Sequence, residues 1–353
     1  MTDTSDSLHF VGSIPLENAE QVFRELSAAV GSYASRLPDG ETAERSRWIF
    51  FQREMLTNHP AMEVDPTVPE FELRQWDGAV IRSIPLLRFK DGVDTDQVEF
   101  ETGYDLAAAH SFSVFSRLQS EGTIGEKTRF QVSLPTPMAT AYFYVSPKAR
   151  REYQQVYERS LLKALSSILD TVPAKQLTIQ FDVCQEVLVF EDYFEQRPPD
   201  YKAEIFEMLG RLGDQVPTPV ELGYHLCYGT PAQEHMIMPK DAAILVELLN
   251  GITDAVKRSV DYVHLPVPKH CTSDDYFTPF TAYRGPDSTK IYVGAIHHDD
   301  AEGDRKRIAI AANYIRNIGV ATECGWGRAD PATVSSLLES HRVAANALAS
   351  FAD

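Results

Sequence analysis

The stretch 220-VELGYHLC-227 decides how the chain is interpreted, because an almost continuously apolar run ends in two potential metal ligands. Such a run is typical of a strand that is covered on both faces. In an extended segment, residues two apart point to the same side, so His225 and Cys227 can face one point. They can form half of a metal site, or they can be packing residues of a buried strand.

Six further strand-like runs alternate with amphipathic helical patterns along the chain. The runs are 8–14, 129–135, 176–183, 261–267, 290–296 and 319–324, and the helical patterns are 17–31, 149–172, 201–213, 240–260, 304–319 and 330–351. This alternation predicts an α/β protein with a closed (β/α)8 TIM barrel, and an open doubly wound sheet is the alternative. We expect one domain over residues 1–353, with an irregular insertion near residues 50–100 whose strong strand candidate is 78-GAVIRSIPLLRF-89.

Charge and composition argue against several classes of partner. The net charge of -18 repels phosphate backbones and anionic lipids, so we expect neither nucleic acid nor a membrane as a partner. No apolar run reaches the roughly 18 residues of a membrane span, and 1-MTDTSDSLHFVGS-13 lacks the features of a signal peptide. Four scattered cysteines form no disulfide framework, so we expect a cytoplasmic protein with reduced thiols, in which Cys184 and Cys271 are structural.

Five strand-like runs carry a reactive side chain at the C-terminal end. These side chains are Asp182, the pair His225 and Cys227, His264, His297, and Cys324. In a barrel, the C-terminal ends of the strands converge on one mouth, where active sites lie. Cys324 can therefore join the pair, and an imidazole with two thiolates suits a catalytic Zn²⁺ that keeps one open position.

Each of the other residues also has a simpler interpretation. Asp182 can cap the next helix, and His264 can be a core histidine with satisfied hydrogen bonds. His297 begins 297-HHDDAEGD-304, which can be a solvated acidic loop. The Pro and Gly of 36-RLPDGE-41 predict a turn, and a turn alone assigns no chemistry to Glu41.

Together, several short motifs resemble the catalytic barrel of the cobalamin-independent methionine synthase family. They are 9-HFVGSIP-15, 38-PDGE-41, 179-IQFD-182, 225-HLCYG-229, 296-IH-297 and 319-GVATECGWGR-328, in the family's order. The HxC pair followed by TECGWGR is the specific part. The chain looks like a stand-alone, single-barrel relative within the superfamily that also contains uroporphyrinogen decarboxylase and epoxyalkane:coenzyme M transferases.

The resemblance implies a role for each matching position. It implies that His225, Cys227 and Cys324 bind catalytic zinc. It implies that the backbone of Val11, Gly12 and Ser13 holds an amino-acid thiol, that Glu41 and Asp182 bind its amine, and that His297 acts with Asp182 in catalysis by transferring a proton.

The chain also departs from the family. Methionine synthases have a Glu as a fourth zinc ligand, but Leu249 and Asn250 occupy that place here, and the run 261–267 offers His264 and no carboxylate at its C-terminal end. We therefore expect either His264 as the fourth ligand or a site with three protein ligands. The family's N-terminal half, which helps to bind folate, has no counterpart, so folate and homocysteine are not the expected pair of substrates.

The expected function is a zinc-dependent methyl- or alkyltransferase that activates a small thiol and works without cobalamin. Its partners would be the thiol and a methyl or alkyl donor, and the oligomeric state is left open. The alternatives are a metal-free decarboxylase-like enzyme of the same superfamily and a non-catalytic protein that binds zinc or a thiol.

Overall fold

The computed structural model describes residues 5–232 and 234–350. The predicted domain 1–353 and the stretches 1–13 and 330–351 therefore extend beyond the described residues. The described strands are β1 Arg36–Pro38, β2 Met62–Val64, β3 Phe71–Arg74, β4 Val80–Ile84, β5 Leu87–Phe89, β6 Arg129–Pro135, β7 Leu177–Val183, β8 Glu221–Leu226, β9 Tyr262–Pro266, β10 Lys290–Ile296 and β11 Ile318–Thr322. The described α-helices are α1 Ala19–Val30, α2 Gln52–Asn58, α3 Tyr104–Ser120, α4 Pro137–Tyr144, α5 Arg150–Thr171, α6 Gln185–Phe190, α7 Tyr201–Asp214, α8 Ala243–Ala255, α9 Asp274–Phe277, α10 Ala301–Ala311 and α11 Val334–Ala349.

A curled sheet of seven parallel strands forms the centre of the protein. Its order is β1-β6-β7-β8-β9-β10-β11, so strands that follow one another in the sheet also follow one another along the chain. Parallel strands need crossover connections, and helices provide them here. The predicted α/β class is thereby confirmed. All the C-terminal ends of the strands lie on one rim of the sheet, which is the geometry that the site needs.

The predicted strand at 8–14 does not form a regular strand. Leu8 makes an isolated parallel bridge with Val320 of β11, and the N–H of His9 donates to the Val320 carbonyl. The carbonyls of Phe10 and Val11 instead accept hydrogen bonds from the side chain of Gln131. Because the Gln131 side chain satisfies these carbonyls, the segment lies beside the edge of the sheet without a continuous series of strand–strand hydrogen bonds.

The insertion near residues 50–100 contains two small antiparallel ribbons, β2 with β5 and β3 with β4. The predicted single strand at 78–89 is therefore wrong, because it is divided between the two ribbons. Pro85 lies at the division, where its missing N–H interrupts a ladder.

Other boundaries also differ from the prediction. Arg36–Pro38, which was predicted as part of a turn, is the short strand β1. The predicted helix 240–260 ends at Ala255, because the Arg258 guanidinium anchors the following segment to the carbonyls of Val216 and Val220. Asp330 accepts from the N–H of Ala332, as an N-cap should. None of the helices in the described part of the chain could cross a membrane.

Candidate metal and substrate site

Strands β8 and β11 bring the three predicted metal ligands together. The Sγ atoms of Cys227 and Cys324 lie 3.7 Å apart, and Nε2 of His225 lies 3.7 Å from Sγ of Cys324. All three ligand atoms lie within 4.8 Å of one another. His225 and Cys227 are buried, whereas Cys324 is half-buried. Of the described residues, this is the one group of His, Cys, Asp and Glu close enough to hold a metal ion.

These distances agree with tetrahedral zinc ligation. Zn–S bonds of about 2.3 Å place two thiolates of a tetrahedron about 3.7 Å apart, and a Zn–N bond of about 2.0 Å requires a similar N···S separation. The two observed separations of 3.7 Å match both values. The donor set of two sulfurs and one imidazole nitrogen therefore suits zinc, and the two separations to Cys324 already have tetrahedral values.

The thiols have unequal proton affinities. The pKa of Cys324 is well below its usual value, because the Cys227 thiol donates to it and the His225 ring lies beside it. The pKa of Cys227 is raised, because it shares hydrogen bonds with Cys184 and Cys324. Cys324 is thus the thiolate of the pair. A divalent cation would replace the proton that the two sulfurs share.

His264 is not part of this group of three. Its Nδ1 lies 2.7 Å from Nδ1 of His225, and its Nε2 lies 2.9 Å from the carbonyl oxygen of Thr322. Both ring nitrogens are therefore engaged, and neither is available to an ion. Leu249 and Asn250, at the place of the family's fourth ligand, are buried in α8. In this arrangement the His264 ring bonds with His225 and Thr322, and its role as a fourth ligand stays a prediction.

Two carboxyl groups, Glu41 and Asp182, line the cavity beside the thiols. Burial raises the pKa of Asp182 to about 8, although hydrogen bonds from Gln180 and Trp48 oppose the shift. Burial and the nearby Asp182 raise the pKa of Glu41 well above its usual value. Among the described residues, no ion pair joins either carboxyl to a cation. Two such groups form a strong site for a ligand that brings positive charge.

Neighbouring side chains hold the carboxyls in place. The amide nitrogen of Gln180 donates to Oδ1 of Asp182 at 2.9 Å and to the carbonyl of Val11 at 2.8 Å. The indole N–H of Trp48 donates to Oδ2 of Asp182 at 3.0 Å. A Cβ at Gly12 would lie 2.5 Å from a Glu41 oxygen, so this close approach requires glycine. Asp182 is therefore a cavity residue and caps no helix.

The backbone at the cavity is strained. Glu41 and Trp48 have φ values of 45° and 55°, in a region that side chains other than glycine rarely adopt. Such conformations persist where the surroundings enforce them, and they cluster at functional sites. In this case they direct a carboxyl and an indole towards the same cavity. The turn at 36–41 thus places a carboxyl at the cavity, which its Pro and Gly content did not indicate.

The cavity next to the three ligands encloses about 60 Å³ and has a largely apolar lining. Val11, Gly12 and Ser13 form part of its wall, which agrees with the predicted substrate segment. Larger side chains cover the rest of it: Arg47, Trp48, Phe50, Phe143, Met236 and Arg328. The apolar cover excludes water and strengthens the electrostatic interactions inside.

His297 lies behind the cavity wall. Its Nε2 donates to the carbonyl of Val267 at 2.9 Å, and its Nδ1 lies 3.5 Å from the carboxylate of Glu323. The other oxygen of Glu323 lies 3.0 Å from Nε2 of His235. Burial lowers the pKa of His297. The ring is thus a neutral neighbour of Glu323, and Glu323 precedes Cys324 in the chain.

Several residues of the site could not be recognised from the sequence motifs. Gln180 offered a signal, because it lies two residues before Asp182 and therefore faces the same side of β7. Cys184, which was predicted to be structural, lines the cavity and hydrogen-bonds with Cys227. Trp48 and Phe50 come from the kinked segment Ala43–Phe51, where periodicity carries no information, and Phe143 comes from α4, all of whose side chains are buried.

Comparisons with known proteins give matches only among solved structures. No model of a protein family matches the chain, and no curated protein does. A B12-independent methionine synthase from Shewanella sp. W3-18-1, in complex with selenomethionine, matches with a TM-score of 0.56 and 14% identity over 94% of this chain and 86% of that chain. A putative vitamin-B12 independent methionine synthase from Listeria monocytogenes matches with a TM-score of 0.56 and 13% identity over 93% and 85%. At these identities the likeness shows the fold alone.

Proposed function

We propose that the protein is a zinc-dependent methyl- or alkyltransferase that activates a small thiol for attack on a methyl or alkyl donor. The observation that carries the proposal is the group His225, Cys227 and Cys324, whose separations suit tetrahedral zinc and which opens onto a cavity with two buried carboxyls. The proposal includes a single barrel domain over residues 1–353, closed by the N-terminal segment beside β11, and a cytoplasmic location, where thiols stay reduced.

When bound by two thiolates and an imidazole, zinc supplies an open coordination position and lowers the pKa of a thiol. Glu41 and Asp182 would bind an ammonium group by charge-assisted hydrogen bonds, which fixes the distance between that group and the sulfur. Trp48, Phe50 and Phe143 would exclude water from the reacting atoms. His297 lies outside the cavity lining and would take up and release a proton at Nδ1, the nitrogen that faces the Glu323 carboxylate.

The likeness to the Shewanella protein supports an amino-acid substrate. That structure holds selenomethionine, which carries an ammonium group, a carboxylate and a methylated selenium. Glu41 and Asp182 suit the ammonium, and the arginines at the cavity, Arg47 and Arg328, suit the carboxylate. A decarboxylase-like activity fits less well, because the buried carboxyls would repel a substrate that carries several carboxylates.

Metal analysis and an alkylation assay test the proposal. We expect about one zinc per chain, loss of most of it in Cys324→Ser, and retention in the matched control Cys271→Ser, whose thiol lies outside the group. The wild type should accelerate the alkylation of homocysteine by iodomethane, and Cys324→Ser should not. Full zinc in Cys324→Ser would contradict the metal site, and zinc with homocysteine binding but no acceleration would indicate a non-catalytic binding protein.

A further inference from the structure

The His225–His264 contact joins the metal site to the neighbouring strand. His225 and His264 are directly paired in the register of β8 and β9, and their Nδ1 atoms lie 2.7 Å apart. Both rings are buried, with 3% and 0% of their surface exposed. On its other side, His264 reaches the Thr322 carbonyl, two residues before Cys324. These two contacts therefore connect one proposed metal ligand, His225, with the backbone just before another, Cys324.

The last acceptor in this series of hydrogen bonds determines which ring nitrogens carry hydrogen atoms. A backbone carbonyl can only accept, so Nε2 of His264 must carry a hydrogen to bond with Thr322. Since burial disfavours a charged ring, Nδ1 of His264 then has a lone pair. The 2.7 Å contact requires one hydrogen, which Nδ1 of His225 must donate. This leaves Nε2 of His225 as the nitrogen that faces Cys324.

We propose that His264 is a positioning residue that holds His225 in the orientation and protonation form in which Nε2 can bind the metal. The inference rests on the proposed zinc site. It gives His264 a specific role that differs from that of a fourth ligand. A direct bond from His264 to the ion would require its ring to abandon both hydrogen bonds. The open coordination position is then left for the substrate sulfur.

Two substitutions separate the polar role of His264 from its volume. In His264→Gln, the amide oxygen can accept from His225 while the amide nitrogen donates to Thr322. His264→Leu keeps a side chain of similar size and makes neither bond. Loss of a partner behind a metal-binding histidine typically weakens metal binding about 10–100-fold. We expect a zinc affinity weakened by about that factor in His264→Leu, and an affinity close to the wild type in His264→Gln.

Two measurements test the inference directly. Competition with a chelator gives the zinc affinities, and the absorption spectrum of the Co²⁺-substituted protein reports the ligands. We expect the same cobalt spectrum in the wild type and in His264→Leu. An unchanged zinc affinity in His264→Leu would overturn the proposal. A cobalt spectrum that shows one nitrogen ligand fewer would also overturn it, in favour of direct ligation by His264.

A third measurement needs no metal. Nitrogen NMR of the metal-free protein with ¹⁵N-labelled histidines should show a proton on Nδ1 of His225, and a proton on Nε2 alone would overturn the proposal. This result remains decisive if either substituted protein fails to fold. It also distinguishes the zinc-site hypothesis from the His264 hypothesis. If only the zinc site were wrong, the wild-type protein would bind no zinc, but Nδ1 of His225 would still carry a proton.

Discussion

The two ends of the parallel sheet differ in whether their charged groups form ion pairs. At the N-terminal ends of the strands, the Arg36 guanidinium is 4% exposed and forms ion pairs with Asp6 at 3.2 Å and Glu221 at 3.1 Å. It also lies over the ring of Tyr262 at 4.4 Å. At the C-terminal ends, the half-buried Glu41 and the buried Asp182 lie together without such a partner in the described part of the chain.

The difference lies in how each end compensates its charged groups. A buried charge is tolerated where it is paired and hydrogen-bonded, as Arg36 is. Two carboxyls and a thiolate that share one cavity favour the binding of cations. We therefore expect the N-terminal end to matter for stability and the C-terminal end to matter for binding. Substitutions at the two ends should accordingly affect different measurements.

The largest effect on stability is expected from Arg36→Met. Removal of Arg36 takes the cation away from Asp6 and leaves Glu221 with Arg129 alone, and the loss of one partner of a buried ion pair typically costs about 3–5 kcal/mol. We expect the free energy of unfolding in urea to fall by about that amount, with the zinc content of the folded protein unchanged. Arg129→Met, at a more exposed partner of Glu221, is the matched control with a smaller effect. A loss of zinc without a loss of stability in Arg36→Met would contradict the assignment of stability to the N-terminal end.

Glu41→Gln, at the C-terminal end, should weaken ligand binding without lowering the free energy of unfolding. It removes a charge-assisted hydrogen bond to an ammonium, worth about 1.5–3 kcal/mol, or about 10–150-fold in affinity. We expect this loss for homocysteine, and no loss for 4-mercaptobutanoate, which is the same thiol without the amine. The unfolding free energy should not decrease, because a carboxyl whose pKa is raised by folding costs stability at neutral pH, and glutamine removes that cost. Calorimetric titration of both thiols checks the prediction, and equal losses for both would contradict an ammonium site.

The sequence allowed the ligands to be predicted more completely than their surroundings. His225, Cys227, Cys324 and Asp182 lie at strand ends, where a period of two and the direction of the strand determine which side chains face the rim. The supporting residues Trp48 and Glu323 lie in irregular segments. Their contacts depend on tertiary packing, which no local pattern encodes.

His264 illustrates a second limit of the sequence. Its position late in the strand 261–267 is compatible with metal ligation, but ligation depends on which way the ring nitrogens point. Only the distances to His225 and Thr322 decide that question. The same holds for β1, which is too short to produce a pattern and is recognised only by its pairing with β6.

The pH dependence of ligand binding sharpens the comparison further. The pKa of Asp182 in the free protein is about 8, because burial disfavours its charge. Below that pH it is protonated, and an ammonium ligand requires the carboxylate, so binding must release a proton. Affinity should therefore rise with pH up to about pH 8, by at most about 1.4 kcal/mol per unit. Methionine is the suitable probe, because its thioether has no proton to lose.

Calorimetry in two buffers of different ionisation enthalpy measures the released proton directly. We expect a release that approaches one proton per methionine near pH 6 and declines above pH 8. In Asp182→Asn, the proton released by Asp182 should be lost, so any remaining release comes from Glu41, whose pKa burial also raises. A methionine affinity that is flat from pH 6 to pH 8 in the wild type would contradict a protonated carboxyl at this site.

The smallest effect is expected from Trp48→Phe, which keeps an aromatic ring over the cavity and removes one donor to Asp182. A hydrogen bond of this kind contributes about 0.5–1.5 kcal/mol, so methionine should bind about two- to tenfold more weakly. Since the indole N–H stabilises the carboxylate, its loss should also raise the pKa of Asp182 and move the pH profile of binding to higher pH. The exposed Trp76 supplies the matched control, Trp76→Phe, which should leave the profile in place. An unmoved profile in Trp48→Phe would mean that the strained backbone at residue 48 serves the shape of the cavity and has no effect on the charge of Asp182.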